Sequence, residues 1–438
     1  MKQRDFREVS KGIESCYRPG KESLGNLVLA EHVDTKRKFW TQTYAFGQEK
    51  RKKEIKQQLL MIKNLDHPKV LKVVDLLQDN SHLLAVYEGT EGKSAGQLYE
   101  AMSEQEVIAI MRQVFNALSY CHSLGLVLKC LSLQHILFLH PLTEGNIAVK
   151  LRVPLDDELS MDSVYGAPEL RNKTYIGSEN DLWSCGMLLS YLLTGNYVLV
   201  KQHYATLTEE LKSSYKKWEK VSKPAKSLIL SLVSQNYHKR PTIAQCLQHP
   251  WMSVPLPTPA LTPCLRKALR HMTQARPLPS LKRAFLQLMF NFVLSAEDLS
   301  EAREAFTELD IDLDGKVSEA ELQIPLYQLF PGDQAQAALT ALTASAVFTE
   351  DRKLTYSEFL LWACDYRIFT SSAHLAATYH LLDRDKDGLV GTRELREMFS
   401  LEPGDNKDIY TWQCIISLVS TTEGGFSYQD FLRFMHKQ

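Results

Sequence analysis

Two twelve-residue segments carry oxygen side chains at the spacing a hard cation requires. They are Asp310-Ile311-Asp312-Leu313-Asp314-Gly315-Lys316-Val317-Ser318-Glu319-Ala320-Glu321 and Asp383-Arg384-Asp385-Lys386-Asp387-Gly388-Leu389-Val390-Gly391-Thr392-Arg393-Glu394. Carboxylates at positions 1, 3 and 5 and a Glu at position 12 supply anionic oxygens. The carbonyl of position 7 (Lys316, Leu389) adds one more, and position 9 (Ser318, Gly391) ligates directly or through water. Gly at position 6 makes the sharp turn, and Val at position 8 can pair with a neighbouring loop. A solvated acidic turn would explain alternate Asp, but not Gly and Glu at the required places twice over. The expectation is one Ca²⁺ at each of these two loops.

Helices must flank such loops, and the chain beyond Ala296 repeats a helix–loop–helix pattern. Two further loops are degenerate. Residues 347–358 keep Asp351 and Glu358 but have Val347 at position 1 and Arg352 at position 6; residues 419–430 begin with Val419 and end in the shorter Asp430. Each is followed by an EF-hand-like exit (Tyr356-Ser357-Glu358-Phe359-Leu360, Tyr428-Gln429-Asp430-Phe431-Leu432). Four EF-hands near 301–330, 338–365, 374–400 and 409–436 are expected, as two lobes with one competent and one degenerate loop each. Too few anionic oxygens remain in the degenerate loops to dehydrate calcium, so their expected role is structural pairing.

The chain of 438 residues is 44% hydrophobic and 24% charged, enough for two or more domains with sizeable cores. A formal net charge of -1 gives no field for nucleic acid or a membrane surface. Eight Cys lie singly, without CxxC or metal-type spacing, and read as reduced thiols of an intracellular protein. No apolar run reaches the length of a membrane span, residue 2 is Lys rather than the Gly that myristoylation needs, and the start is not signal-like. The expectation is a cytoplasmic protein with no intrinsic membrane anchor and no nucleic-acid partner.

Ahead of the loops, residues 15–90 alternate β-like stretches (Asn26–His32, Lys38–Ala45, Leu83–Glu88) with one helical segment, Glu49–Asn64, and residues 104–251 are mostly helical, with apolar residues at 3–4 spacing in Glu104–Leu124, Asp181–Leu193 and Ala225–Ser234. This part resembles protein kinases. The residues that carry the resemblance are Leu65-Asp66-His67-Pro68, Tyr120-Cys121-His122, Ala167-Pro168-Glu169, Asp181-Leu182-Trp183, Arg240-Pro241-Thr242 and His249-Pro250-Trp251. Together with the four hands, residues 15–438 resemble the calcium-dependent protein kinases. The resemblance implies an α+β, bilobal protein-kinase-like domain over 15–251, after an N-terminal extension (1–14). A linker and basic junction (252–295) and an all-α calmodulin-like module (296–438) follow. It also implies that Glu169 pairs with Arg240 and that Asp181 braces the catalytic-loop backbone.

Phosphoryl transfer needs phosphate positioning, metal ions and a base beside the hydroxyl, and each of these positions has changed. The family's phosphate-anchoring Lys falls on Gln42 and its Glu partner on Gln58, leaving at best an amide pair. The base Asp falls on Cys130 and the metal-binding Asn on His135, within Leu128-Lys129-Cys130-Leu131-Ser132-Leu133-Gln134-His135. The metal-binding Asp of Asp-Phe-Gly falls on Val153, with Asp156 and Asp157 just beyond it. The Gly-rich loop keeps Gly20 and Gly25 but places Glu22 where phosphate must approach. No catalytic residue is therefore assigned, and Mg²⁺-ATP binding is not expected. Cys130 reads as an inert buried thiol, His135 as a packed or solvent-facing His, and Tyr87 as a core aromatic filling the cleft.

Between the two halves, Val254–Pro263 is Pro-rich. Beyond it the stretches 265–272 and 281–293 are basic and apolar, and helical spacing puts Leu281, Phe285, Leu288, Met289 and Phe292 on one stripe. Such a helix suits an EF-hand groove, so an intramolecular contact between sensor and junction is expected, with Pro277 and Pro279 as a hinge. The leading expectation is a calcium-sensing pseudokinase, a non-catalytic scaffold or regulator that takes a protein partner in a calcium-dependent way. Two alternatives remain: a divergent serine/threonine kinase or other ATP-dependent transferase under calcium control, and a constitutive assembly protein with structural EF-hands.

Overall fold

A computed structural model of the chain describes residues 6–8, 13–45, 49–79, 81–90, 94–97, 102–139, 147–155, 164–195, 217–252, 261–274, 278–312, 314–344, 353–399, 416–419 and 424–437. Asp156, Asp157, Pro277 and most of the Pro-rich linker fall outside this set. The first half opens with a six-stranded sheet in the order β1-β5-β6-β4-β3-β2. Its strands are β1 (Arg7–Glu8), β2 (Tyr17–Leu24), β3 (Leu27–His32), β4 (Lys38–Ala45), β5 (Val73–Gln78) and β6 (His82–Tyr87). β1 runs parallel to β5, and every other pair is antiparallel. Gly25, at φ 60°, turns the hairpin between β2 and β3, a backbone conformation that costs other residues free energy.

Side chains alternate across a strand, so β6 tests which faces are buried. Ala85 and Tyr87 join the core of the kinase-like domain, whereas Leu84 and Val86 join a second core that also contains the junction and the calcium-loop module. Trp40 and Phe39 on β4 divide in the same way. Both faces are covered, and β6 accordingly reads as a continuous apolar run, His82-Leu-Leu-Ala-Val-Tyr87.

Below the sheet lie α1 (Glu49–Lys63), α2 (Glu104–Ser123), α3 (Ser178–Thr194) and α4 (Lys223–Leu232). Ser103 and Glu106 form a reciprocal capping box that starts α2. Short strands β7 (Ile136–Phe138) and β8 (Val149–Leu151) pair beneath the cleft and carry its two flanking loops.

The junction forms two helices, α5 (Pro263–Gln274) and α6 (Ser280–Phe292), with Pro279 at the N-cap of α6. The expected stripe Leu281, Phe285, Leu288, Met289 and Phe292 is buried throughout. Lys282 is buried too. Its ammonium donates to the Lys437 carbonyl at 2.7 Å and lies 5.2 Å from the Tyr366 ring centroid.

The module itself contains α7 (Ser300–Leu309), α8 (Glu319–Leu329), α9 (Gly332–Ala344), α10 (Tyr356–Ala363), α11 (Ser372–Leu382), α12 (Thr392–Met398) and α13 (Tyr428–His436). α5 packs on α7 and α10 of its first half. α6 packs on α11, and Phe285 meets Phe399, Phe426, Phe431 and Phe434 of the second half. Phe292, at the end of α6, reaches the outer sheet face against His32 and Phe39. The junction is thus the shared core of both halves of the module and of its seat on the sheet. Among the described residues, no helix is long and apolar enough to cross a membrane.

Candidate functional site

The two acidic loops close around their own carboxylates. Ligand-type oxygens of Asp310, Asp312 and Asp314 lie within 4.8 Å of one another, as do those of Asp383, Asp385 and Asp387. Gly315 (φ 79°) and Gly388 (φ 86°) make the turn that Gly at position 6 was expected to make. Strand β9 (Lys316–Ser318) pairs with β10 (Lys353–Thr355), setting Val317 opposite Leu354. Strand β11 (Val390–Gly391) pairs with β12 (Gly425–Phe426), setting Val390 opposite Phe426. Position 8 of each acidic loop therefore pairs with position 8 of a degenerate loop.

The position-12 carboxylates cap the exit helices and fold back over the loops. Glu321 accepts from the Ile311 and Ser318 N–H groups, both at 2.8 Å; Glu394 accepts from those of Arg384 (2.8 Å) and Gly391 (2.9 Å). Oδ1 of Asp310 and Oδ1 of Asp383 are buried and receive no hydrogen bond. A buried carboxylate oxygen without a donor is costly, and a hard divalent cation is the ligand such oxygen-only sets accept. Burial first, then Glu321 and Asp314, pushes the Asp310 carboxyl up to about 7. The donor sets fit calcium: Asp310, Asp312, Asp314 and Glu321 would hold it in one loop, and Asp383, Asp385, Asp387 and Glu394 in the other.

The loops are not equivalent. Lys353, at position 7 of the degenerate partner, places its ammonium on Asp314 and 3.5 Å from Asp312. Backbone N–H groups bond the position-3 and position-5 carboxylates of both loops, Asp312 and Asp314 at 3.2 and 2.9 Å and Asp385 and Asp387 at 3.3 and 2.8 Å, so Lys353 is the difference. Removing an ammonium that competes with a divalent ion favours the ion, so Lys353→Gln is expected to strengthen calcium at the first loop by about 1 kcal/mol, roughly fivefold. Calorimetric titration of an Asp383→Ala background, in which only the first loop reports, measures it.

The first loop also touches the kinase-like half. A Cβ on Gly315 would come within 2.3 Å of His67 Cδ2, and His67 stacks on Tyr120 with centroids 4.9 Å apart. Burial, then Lys69, pushes His67 down to about 3, so this contact is with a neutral ring. Nearby, Asp66 accepts from Ser357 N (3.0 Å) and Oγ (2.7 Å), and Lys72 donates to the same Oγ at 2.9 Å. Lys150 pairs with Glu88, and Arg303 of α7 lies 4.0 Å from the same carboxylate. Burial acts to raise Glu88, but Lys150 and Arg303 outweigh it and hold the carboxyl below its ordinary value.

In the cleft, the positions matching the family's chemical groups are occupied as follows. Gln42 is buried, and its Oε1 accepts from Arg152 Nη1 at 2.8 Å, a partner that the expected Gln42–Gln58 pairing did not include. Arg152 directly precedes Val153, and its N–H donates to the His135 carbonyl at 2.7 Å. His135 is buried, its Nδ1 accepting from Ser132 N at 3.1 Å; burial and then Arg152 push it down to about 3. Cys130, Val153 and Tyr87 are buried as well. Glu22 is exposed on β2. Trp40 stands where the kinase motif V-A-I-K has Ala, and its indole N–H donates to Thr90 Oγ1 at 2.9 Å.

The frame around these positions is intact. Arg240 grips Glu169 with two bonds, Nη1 to Oε1 at 2.5 Å and Nη2 to Oε2 at 2.9 Å, and Asn180 adds a third at 2.7 Å. Asp181 Oδ2 accepts from the Leu128 N–H at 3.0 Å and meets His122 Nε2 at 2.8 Å. Both interactions were implied by the family resemblance, and both join the distant parts of the lower lobe as expected.

Residues 20–252 match the family model of the protein kinase domain. The chain belongs to that family. Similarity to calcium-dependent protein kinases runs through almost the whole chain of this kinase-family protein. Calcium-dependent protein kinase 4 of Plasmodium berghei is 24% identical over 472 residues, covering 97% of this chain and 86% of its own. Calcium-dependent protein kinase 32 of Arabidopsis thaliana is 27% identical, covering 84% and 71%. Among solved structures, the twitchin kinase region from C. elegans aligns at 21% identity with a TM-score of 0.46, covering 60% of this chain and 49% of that one. The similarity to calcium-dependent protein kinases supports a calcium-regulated kinase-family protein with a sensor held against its own junction.

Four features escaped sequence reasoning: Trp40, Arg152, Lys353 and the charged seam of Asp66, Lys72, Glu88, Lys150 and Arg303. A Trp in a small-residue position of the kinase motif was a visible signal. The others are long side chains whose partners lie far along the chain, and no local pattern marks them.

Proposed function

We propose that this kinase-family chain is a calcium sensor whose kinase-like domain transfers no phosphate and serves as a calcium-regulated scaffold. The observation that carries the reading is the Arg152–Gln42 hydrogen bond inside the cleft. It fixes a guanidinium beside Val153 and His135, the two positions that match the family's metal ligands. A fixed cation repels Mg²⁺, and neither a valine nor a neutral buried imidazole offers it the hard oxygen it prefers. The indole of Trp40 adds bulk beside the segment that bears Thr90. Calcium at the two acidic loops, working through the His67–Gly315 and Asp66–Ser357 contacts, changes the seat of the sensor and with it the surface offered to a protein partner.

A phosphate-transfer assay with Mg²⁺-ATP, with and without calcium, tests the reading on the full chain and a generic basic substrate. The expected result is no transfer above a protein-free blank. Transfer that disappears in an Arg152→Ala or Gln42→Ala variant would overturn it. The rival reading, a divergent calcium-controlled kinase, draws on the intact Glu169–Arg240 and Asp181 frame, and that same result would establish it. Partner capture that ignores calcium would instead favour a constitutive assembly protein.

A further inference from the structure

A cavity of about 880 Å³ lies between the outer edge of the sheet and the sensor, bounded by the β3–β4 turn, Glu88–Thr90 and α6–α7. Six cationic side chains line it: Lys36, Arg37, Lys38, Lys72, Lys150 and Arg303. Among the described residues, only three carboxylates do so. Asp66 is engaged by Ser357 and Lys72, Glu88 by Lys150 and the Lys72 N–H at 2.8 Å, and Glu22 is exposed on β2. Two guanidinium nitrogens, Arg37 Nη1 from the kinase-like half and Arg303 Nε from the sensor, are buried without a hydrogen-bond acceptor. Asp298 lies near Arg37, but its Oδ2 already accepts from Ser295 N at 2.7 Å and Ser295 Oγ at 2.7 Å. Burial and then Arg303 lower the Arg37 pKa, and burial, Lys150 and Arg303 push the neighbouring Lys69 down to about 8.

Arg303 also meets Tyr356 and Glu88, yet cations from the two modules outnumber the carboxylates along this space, and each of the two guanidinium groups keeps one nitrogen without an acceptor. A guanidinium donor left without an acceptor costs more than an ordinary unmade bond. Guanidinium groups match phosphate oxygens in planar, paired geometry, and several phosphates would answer the cationic excess. The volume falls within the range of small-molecule sites, roughly 300–1,000 Å³. We propose that this cavity binds a multiply phosphorylated small molecule, which bridges Arg37 of the sheet to Arg303 of the sensor and locks the two halves together.

The test titrates inositol hexakisphosphate into the full-length protein by calorimetry at about 0.15 M salt, where exposed long-range attraction is screened. One saturable site is expected, weakened at least tenfold by Arg37→Gln and by Arg303→Gln. Lys38→Gln changes an exposed side chain, leaves the fold intact and is expected to weaken binding as well, while Arg266→Gln on the exposed face of α5 is expected to leave it unchanged. Absence of binding, binding indifferent to Arg37, Lys38 and Arg303, or equal loss in the Arg266 variant would each overturn the proposal.

Discussion

Replacing Glu169 with Gln is expected to lower the stability of the kinase-like domain by about 3 kcal/mol, among the largest effects of any single substitution in the chain. The change keeps shape and volume but leaves the Arg240 guanidinium, buried and stacked 5.1 Å from the Trp183 ring centroid, without its counter-charge. Arg240 would keep only uncharged acceptors: the amide oxygen of the new Gln and the carbonyls of Glu179 at 2.7 Å and Ser234 at 3.1 Å. For a domain of this size such a loss lowers Tm by roughly 6–12 °C. Thermal unfolding followed by tryptophan fluorescence reads it, because Trp183 sits on the broken pair. An unchanged Tm would mean that this bond does not hold the lower lobe together.

The second large effect concerns calcium. Asp383→Ala removes a position-1 ligand whose Oδ1 is buried without a donor, and is expected to abolish the tighter of two calcium sites. The second loop should be the tighter because Lys353 already occupies carboxylates of the first. At a thousandfold excess over the dissociation constant, each site contributes about 4 kcal/mol of stabilisation through linkage. The variant should therefore lose about that amount in saturating calcium and gain slightly in its absence, where an unsatisfied buried carboxylate has been removed. Asp310→Ala should abolish the weaker site instead. Differential scanning calorimetry with calcium and with chelator separates the cases. Equal stability of Asp383→Ala and the parent in calcium would remove the second loop from the account.

Local patterns made most of the fold legible. The strand expected over Lys38–Ala45 has those bounds, and the helices expected at Glu49–Asn64 and Glu104–Leu124 end one residue earlier, at Lys63 and Ser123. The calcium loops were legible because their ligands are consecutive and a glycine with positive φ marks the turn. Strand β2 was not, because six of its eight residues are exposed and it carries a bulge between Pro19 and Ser23. Lys282 reads as part of a basic surface, yet it is buried because a carbonyl and an aromatic ring meet its ammonium. The cleft was legible only in what it lacks. Arg152 and Gln42 are 110 residues apart and bond only once the two lobes have folded together, and Trp40 and Thr90, 50 apart, meet only when β4 pairs with β6.

The central claim is that this kinase-family chain reads calcium without using ATP. Its most direct test is a calorimetric titration of Mg²⁺-ATP into the calcium-saturated full chain, after the calcium titration has counted the sites. The account expects two calcium sites and no ATP heat. Saturable, Mg²⁺-dependent ATP binding that Arg152→Ala abolishes would contradict it.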